Sequence, residues 1–261
     1  MATRIRYAAR TPDELTNREV QATSVGAWST SLTASYETDP DVVAAVLPPP
    51  LEPTGEPLVR VSIARVDLGR GLPPFGAGTV AVQARHDGAV GNYPLVMPMT
   101  TEQSVIGGRE TFGEPKKLAQ VTLDRDGRQV TGRVTRLGVT FVELSGIMVE
   151  DLDVPDDRDR VDFYFKFLPA PDGKGFDAEP SLVYCHRHET YRSLARVDGQ
   201  VTLTESRFDP VADLPVRRLV EMTLSERRAV QRGEVVTRVP GEWLAPFVHQ
   251  RYDDLSPVGE D

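Results

Sequence analysis

A single α+β domain, mainly antiparallel β with a few short helices, is the fold the sequence predicts, on three observations. Short runs rich in β-branched and aromatic residues recur along the chain, several of them alternating, as in Leu58–Val66 (LVRVSIARV). Turn residues such as His86-Asp87-Gly88, Asp126-Gly127 and Leu137-Gly138 separate these runs at hairpin spacing. Neither a fixed-period repeat nor a Gly/Ser-rich linker interrupts the 261 residues. The expected layout is an arm over residues 1–25, one domain over 26–248 and a tail over 249–261.

The elements follow in order. Residues 1–25 are polar and aperiodic, an irregular arm with room for one strand, and Trp28–Tyr36 (WSTSLTASY) suits a strand. Asp39 is placed to cap a helix that starts at Pro40 and stops at Pro48-Pro49-Pro50. Strands are expected at 58–66, 79–85 and 92–99, then a short helix at 101–106 closed by Gly107-Gly108. A shaped Gly/Pro loop carries residues 109–117. A meander is expected at 119–123, 129–135 and 139–143, followed by an acidic surface connection at 150–160. Further strands are predicted at 163–168, 182–188, 201–204 and 235–239, with a helix over 215–222.

Composition narrows the function classes. Hydrophobic residues make up 39% and charged residues 26%, which fits a chain with a buried core. A net charge of −9 and a pI near 5.1 oppose broad nucleic-acid binding. No apolar run approaches 18 residues and the N-terminus lacks a signal-peptide core, so neither a membrane span nor export is expected. The lone Cys185 has no partner for an internal disulfide, which suits the cytoplasm.

Of the 30 basic residues, 26 are arginine and only four are lysine: Lys116, Lys117, Lys166 and Lys174. Two of the four are adjacent, where random placement gives about 0.05 such pairs. An amine can lose its proton and attack a carbonyl; a guanidinium cannot. Lysine is a poor nucleophile while protonated, and burial or a neighbouring cation lowers its pKa. Adjacent lysines supply the second device if both side chains are restrained near each other; otherwise they are an exposed basic dipeptide.

The segment Gly108-Arg109-Glu110-x-x-Gly113-x-Pro115-Lys116-Lys117-Leu118-Ala119 resembles the active-site segment of the acetoacetate decarboxylase family. Pro48–Leu51, Glu56-Pro57-Leu58-Val59-Arg60 and Gly91-Asn92-Tyr93 are similar to the family's first half. Phe165-Lys166 with Pro169-x-x-Asp172-Gly173, and Asp213-Leu214-Pro215-Val216, are similar to its second half. The resemblance runs in order over about residues 25–240. It implies a cone-like β-barrel with a flanking sheet, a homo-oligomeric lyase without an organic cofactor or metal, and a small keto-acid substrate. It also implies that Lys116 forms a Schiff base while Lys117 depresses its pKa, an idea already attached to that family.

The sequence departs from the family at the pocket. Ser29 stands where typical members place an arginine, Ala77 where they place a glutamate, and Ser62 replaces a second acidic residue. Glu114 replaces an aromatic two residues before Lys116; a carboxylate there either repels a β-keto acid or moves protons. Decarboxylation of a small β-keto acid is the first expectation. Aldol or dehydratase chemistry through the same imine is the alternative, and a non-catalytic carbonyl-binding barrel is the third.

Other residues carry weaker signals. Arg109 either binds substrate or pairs with Glu110 to shape the lysine loop. Tyr93, Met97 and Phe112 either line the pocket or pack the core. On a strand, His186 and His188 share one face, and Cys185 and Arg187 the other, so two ligands alone converge and a surface or barrel-wall pair of histidines is a better reading than a metal site. Tyr252 donates a proton only if the tail folds over the barrel mouth, against the usual behaviour of chain ends.

Overall fold

The computed structural model describes residues 5, 7–15, 26–69, 71 and 73–253, and the architecture is the expected mainly antiparallel β fold. Most of the arm, and with it most of the stretch given room for a strand, lies outside the described residues; residues 12–15 form one helical turn. Strand β1 (Ala27–Glu37) leads into helix α1 (Pro40–Val46), then β2 (Glu52–Pro53), β3 (Leu58–Asp67), β4 (Phe75–His86) and β5 (Ala89–Met99). Helix α2 (Glu102–Phe112) precedes the short β6 (Lys116–Leu118) and a second meander of β7 (Gln120–Asp126), β8 (Gln129–Arg136) and β9 (Val139–Leu152). Then come β10 (Arg158–Lys166), β11 (Ser181–Leu203), β12 (Arg218–Arg238) and a C-terminal helix α3 (Gly241–Leu244) running into a 3-10 turn.

The strand order β10-β5-β4-β3-β1-β12-β11 closes on itself because β10 also pairs with β11. Seven strands thus form a barrel, antiparallel except where β10 meets β5 at Asp162 and Asn92. The second half of β11 leaves the barrel to pair with β9, so β9, β8 and β7 extend the same sheet as a flank. No described helix is long and apolar enough to cross a membrane.

Side-chain alternation sorts each barrel strand into two faces. On β1, β3 and β4, Leu32, Ala34, Tyr36, Val59, Val61, Ile63, Val80 and Val82 pack in one core cluster with Val130, Val134 and Leu144 of the flank. Burying each such valine, leucine or isoleucine contributes about 1.5–3 kcal/mol. The alternate residues are small: Ser29, Ser31, Ser62, Ala64, Ala77, Thr79 and Ala81 line the barrel interior. Small residues on an inward face leave space, and the barrel holds a cavity of about 750 Å³.

Several elements differ from expectation. The helix expected at 215–222 is absent: β12 begins at Arg218, because residues 218–222 pair with β1, and that long-range ladder outweighs local helix preference. Residues 182–188 and 201–204 are the two ends of one long strand, bent by register shifts near Leu182 and Tyr191. Helix α2 does not stop at Gly107-Gly108; it runs to Phe112 and ends at Gly113, whose φ of 81° is the left-handed cap. The lysine dipeptide lies on β6, beside Met97 and Pro98 of β5, rather than in a loop. Asp39 stands at the N-cap of α1 but makes no capping bond, its carboxylate accepting instead from Arg217.

Candidate active site

Lys116 enters the barrel cavity from β6, its side chain 13% exposed. Its Nζ lies 2.7 Å from Glu114 Oε2, and the Glu114 side chain is 1% exposed. This contact is an ion pair rather than an aligned hydrogen bond. Backbone bonds hold the segment: Met97 N donates to Pro115 O at 3.0 Å, and Glu114 N donates to Gly108 O at 3.3 Å. Gly108 explains why a glycine sits inside α2. A Cβ there would lie 1.9 Å from Glu114 Oε2 and 2.6 Å from Lys116 Nζ, so only glycine lets the helix close over this pair. Met97 and Phe112 line the cavity beside Lys116, as one of their two readings has it.

From Glu114 a ladder of alternating charges runs along the barrel wall. Arg187 Nη2 donates to Glu114 Oε1 at 3.3 Å and Arg187 Nε to Asp162 Oδ2 at 2.5 Å. Arg160 Nη2 lies 3.6 Å from Asp162 and 3.2 Å from Glu189, which also pairs with Arg227. Burial alone would raise both carboxyls. Arg160 and Arg187 nevertheless hold Asp162 down to about 2, and Arg160, Arg227 and Arg60 do the same for Glu189. Of these wall residues the sequence singles out Glu114 and places Arg187 on a strand face, but it does not point to Arg160, Asp162, Glu189 or Arg227. The signal was available in the alternation that set Arg187 opposite the histidines, a face that Glu189 continues, but nothing local says that such a face looks into a cavity.

The structure parts the two lysines, and this corrects the expected pair. Neighbours on a strand point to opposite faces, so Lys117 leaves the cavity. Its Nζ, on a side chain 8% exposed, donates to Phe208 O at 2.8 Å and pairs with Asp209 at 3.0 Å and Asp253 at 3.1 Å. Arg136 contacts the same two carboxylates. Burial works against the charge on Asp253, yet Arg136 and Lys117 hold its carboxyl below the ordinary value. Two carboxylates therefore balance Lys117 on the far side of β6.

Two expected binding residues also lie elsewhere. Arg109 is absent from the cavity lining and does not pair with Glu110; it donates to Lys116 O at 3.1 Å and Arg251 O at 3.2 Å, fastening the lysine strand to the tail. Tyr93 takes its core reading, its hydroxyl donating to Gln250 Oε1 at 2.7 Å. The start of the tail is packed rather than loose: Arg251 is buried and donates to Phe167 O at 3.0 Å. Tyr252 lies against Phe167 and Arg109, outside the cavity lining. His188 accompanies Asp157 and Asp159 on the surface while His186 faces Glu234, and among the described residues no group of three or more ligands could hold a metal. Cys185 is buried, which pushes its thiol up to about 11.

Comparison with known proteins bears on the family and the fold. A model of the family described as acetoacetate decarboxylase matches residues 9–239. An acetoacetate decarboxylase of Burkholderia ambifaria (strain MC40-6) is 30% identical over 200 residues, covering 73% of this chain and 78% of the relative. In fold, the chain is similar to acetoacetate decarboxylase from Legionella pneumophila, with a TM-score of 0.72 and 22% identity over 82% of this chain and 86% of the other. It is also similar to the enduracididine biosynthesis enzyme MppR complexed with pyruvate, with a TM-score of 0.69 and 17% identity over 82% and 92%. With a closed barrel around Lys116 and a family match over most of its length, this chain belongs to the acetoacetate decarboxylase family.

Proposed function

We propose that the protein is a Schiff-base lyase that decarboxylates a β-keto acid through an imine on Lys116. The observation that carries this reading is the Lys116 amine inside the barrel cavity, 2.7 Å from a buried carboxylate. Glu114 accepts a proton from Nζ, and the free amine attacks the substrate carbonyl. The carbinolamine forms after a proton shift, and Glu114 returns its proton to the hydroxyl, which leaves as water. The product is a protonated imine beside the Glu114 carboxylate. As the bond to the carboxyl carbon breaks, its electron pair moves into the imine, CO₂ departs and a neutral enamine remains. A proton added at carbon restores the imine, and water releases the ketone.

Glu114 also favours a second reading. A carboxylate beside the imine nitrogen can move protons on the substrate carbons, as aldol condensation and dehydration require, and MppR binds pyruvate in a similar fold. Ser29, Ser62 and Ala77 face the cavity without charge, so they neither hold nor repel a carboxylate there.

Borohydride trapping with acetoacetate and pyruvate, read by peptide mass, tests the reading. An adduct on Lys116 is expected, absent in Lys116→Ala, with CO₂ released from the β-keto acid. An adduct from pyruvate with no CO₂ from any β-keto acid would favour the second reading. Turnover that survives in Lys116→Arg would overturn both.

A further inference from the structure

We propose that the cavity contains a second anchoring site, centred on Arg60, for a carboxylate carried several carbons away from the reacting carbonyl. It deepens the function proposed above and relies on that reading only for where the carbonyl sits.

The argument begins with charge balance. Five cationic side chains line the cavity, Lys116, Arg60, Arg160, Arg187 and Arg227, against three carboxylates, Glu114, Asp162 and Glu189. The surplus is not spread evenly. At the Lys116 end, Glu114 and Asp162 balance Lys116 and Arg187. At the other end, Arg60, Arg160 and Arg227 surround Glu189, with Arg160 also reaching Asp162 at 3.6 Å, and Glu189 is already contacted by Arg160, Arg227 and the Tyr191 hydroxyl.

Arg60 is the member left over. It makes no hydrogen bond or ion pair with any described residue, and its ladder neighbours are Ser35 on β1 and Ala81 on β4, which offer no charge. Burial, then the neighbouring Arg160 and Arg227, lower it to about 10. An anion placed there relieves that repulsion, and a carboxylate matches the guanidinium fork with two parallel bonds.

Geometry sets the length of the ligand. Arg187 touches Glu114 beside Lys116, whereas Glu189 lies two residues further along β11, about 7 Å at strand spacing. An acid whose carboxylate adjoins its carbonyl cannot engage Lys116 and Arg60 together. A cavity of about 750 Å³ also exceeds what a four-carbon acid fills. Phe75, Met97, Met99 and Phe112 offer apolar wall for the intervening methylenes. The substrate class is therefore an oxo acid with a distal carboxylate.

The test uses the full chain with 5-oxohexanoate and its methyl ester, which share a ketone and differ in the distal charge. Half-saturation of cyanoborohydride trapping on Lys116 should come at a concentration at least tenfold lower for the acid. Arg60→Met should abolish that preference, so that acid and ester half-saturate at the same concentration; Arg60→Gln carries the same expectation if the first variant does not fold. Hexanoate binding by calorimetry reads the anchor without any imine and should weaken at least tenfold in either variant. Equal half-saturation for acid and ester, or hexanoate affinity unaltered in the variants, would overturn the proposal. Arg60-dependent hexanoate binding without any Lys116 adduct would instead sink the imine reading and leave the anchor standing.

Discussion

Replacing Lys117 by methionine separates two accounts of the lysine dipeptide. Were Lys117 the cation that activates its neighbour, Lys117→Met would leave stability nearly untouched and move the pH optimum of Lys116 chemistry upward. The structure supports the opposite outcome. Lys117 is buried against Asp209, itself 1% exposed, and against Asp253. Removing one partner of a buried ion pair costs about 3–5 kcal/mol. Arg136 still contacts both carboxylates, so the low end applies, about 3 kcal/mol. For a chain of this length that lowers the melting temperature by roughly 6–12 °C. Circular dichroism melts give the stability, and the pH profile of borohydride trapping reports the nucleophile. A wild-type melting temperature together with a profile displaced upward by a pH unit would refute the reasoning.

Other outcomes follow from the same geometry. Glu114→Gln removes the group placed to take and return the Lys116 proton and should slow adduct formation by about 10²–10³-fold; an unchanged rate would exclude that role. Gly108→Ala should abolish trapping while the barrel still forms, since the new Cβ falls on Glu114 Oε2 and Lys116 Nζ; wild-type trapping would show that the pair has room to move. Asp162 and Glu189 sit near 2 in the folded chain, below their ordinary values, so folding favours their charged forms. That stabilisation, about 2–3 kcal/mol for each, is complete above pH 4.5 and lost as the pH falls toward 2. Urea midpoints should drop across that window, less steeply in Glu189→Gln, and a flat midpoint would contradict the assignment.

Much of the fold was legible because alternation and turn chemistry are local. Leu58–Val66 reads as a strand with one buried face whichever neighbours it finds, and Asp126-Gly127 bends the chain wherever the strands go. The stretch at 215–222 was misread because its pairing partners are remote in sequence: β1 lies some 190 residues away and outbids the local preference. The C-terminal end of α2 was misplaced for a related reason. Gly107-Gly108 looks like a stop, yet Gly108 is there to clear Glu114 and Lys116, a contact visible only after folding.

The sequence by itself determined the family, the lysine that reaches the cavity and the carboxylate two residues before it, since a motif and its spacing survive without coordinates. Only the tertiary structure decided the company each lysine keeps. Adjacent residues on a strand face opposite ways, so β6 sends Lys116 to Glu114 and Lys117 to Asp209 and Asp253. It also decided that the polar faces of β3, β10, β11 and β12 look inward. Their periodicity is that of strands with one side in water, and barrel closure turned that side onto a cavity lined with arginine.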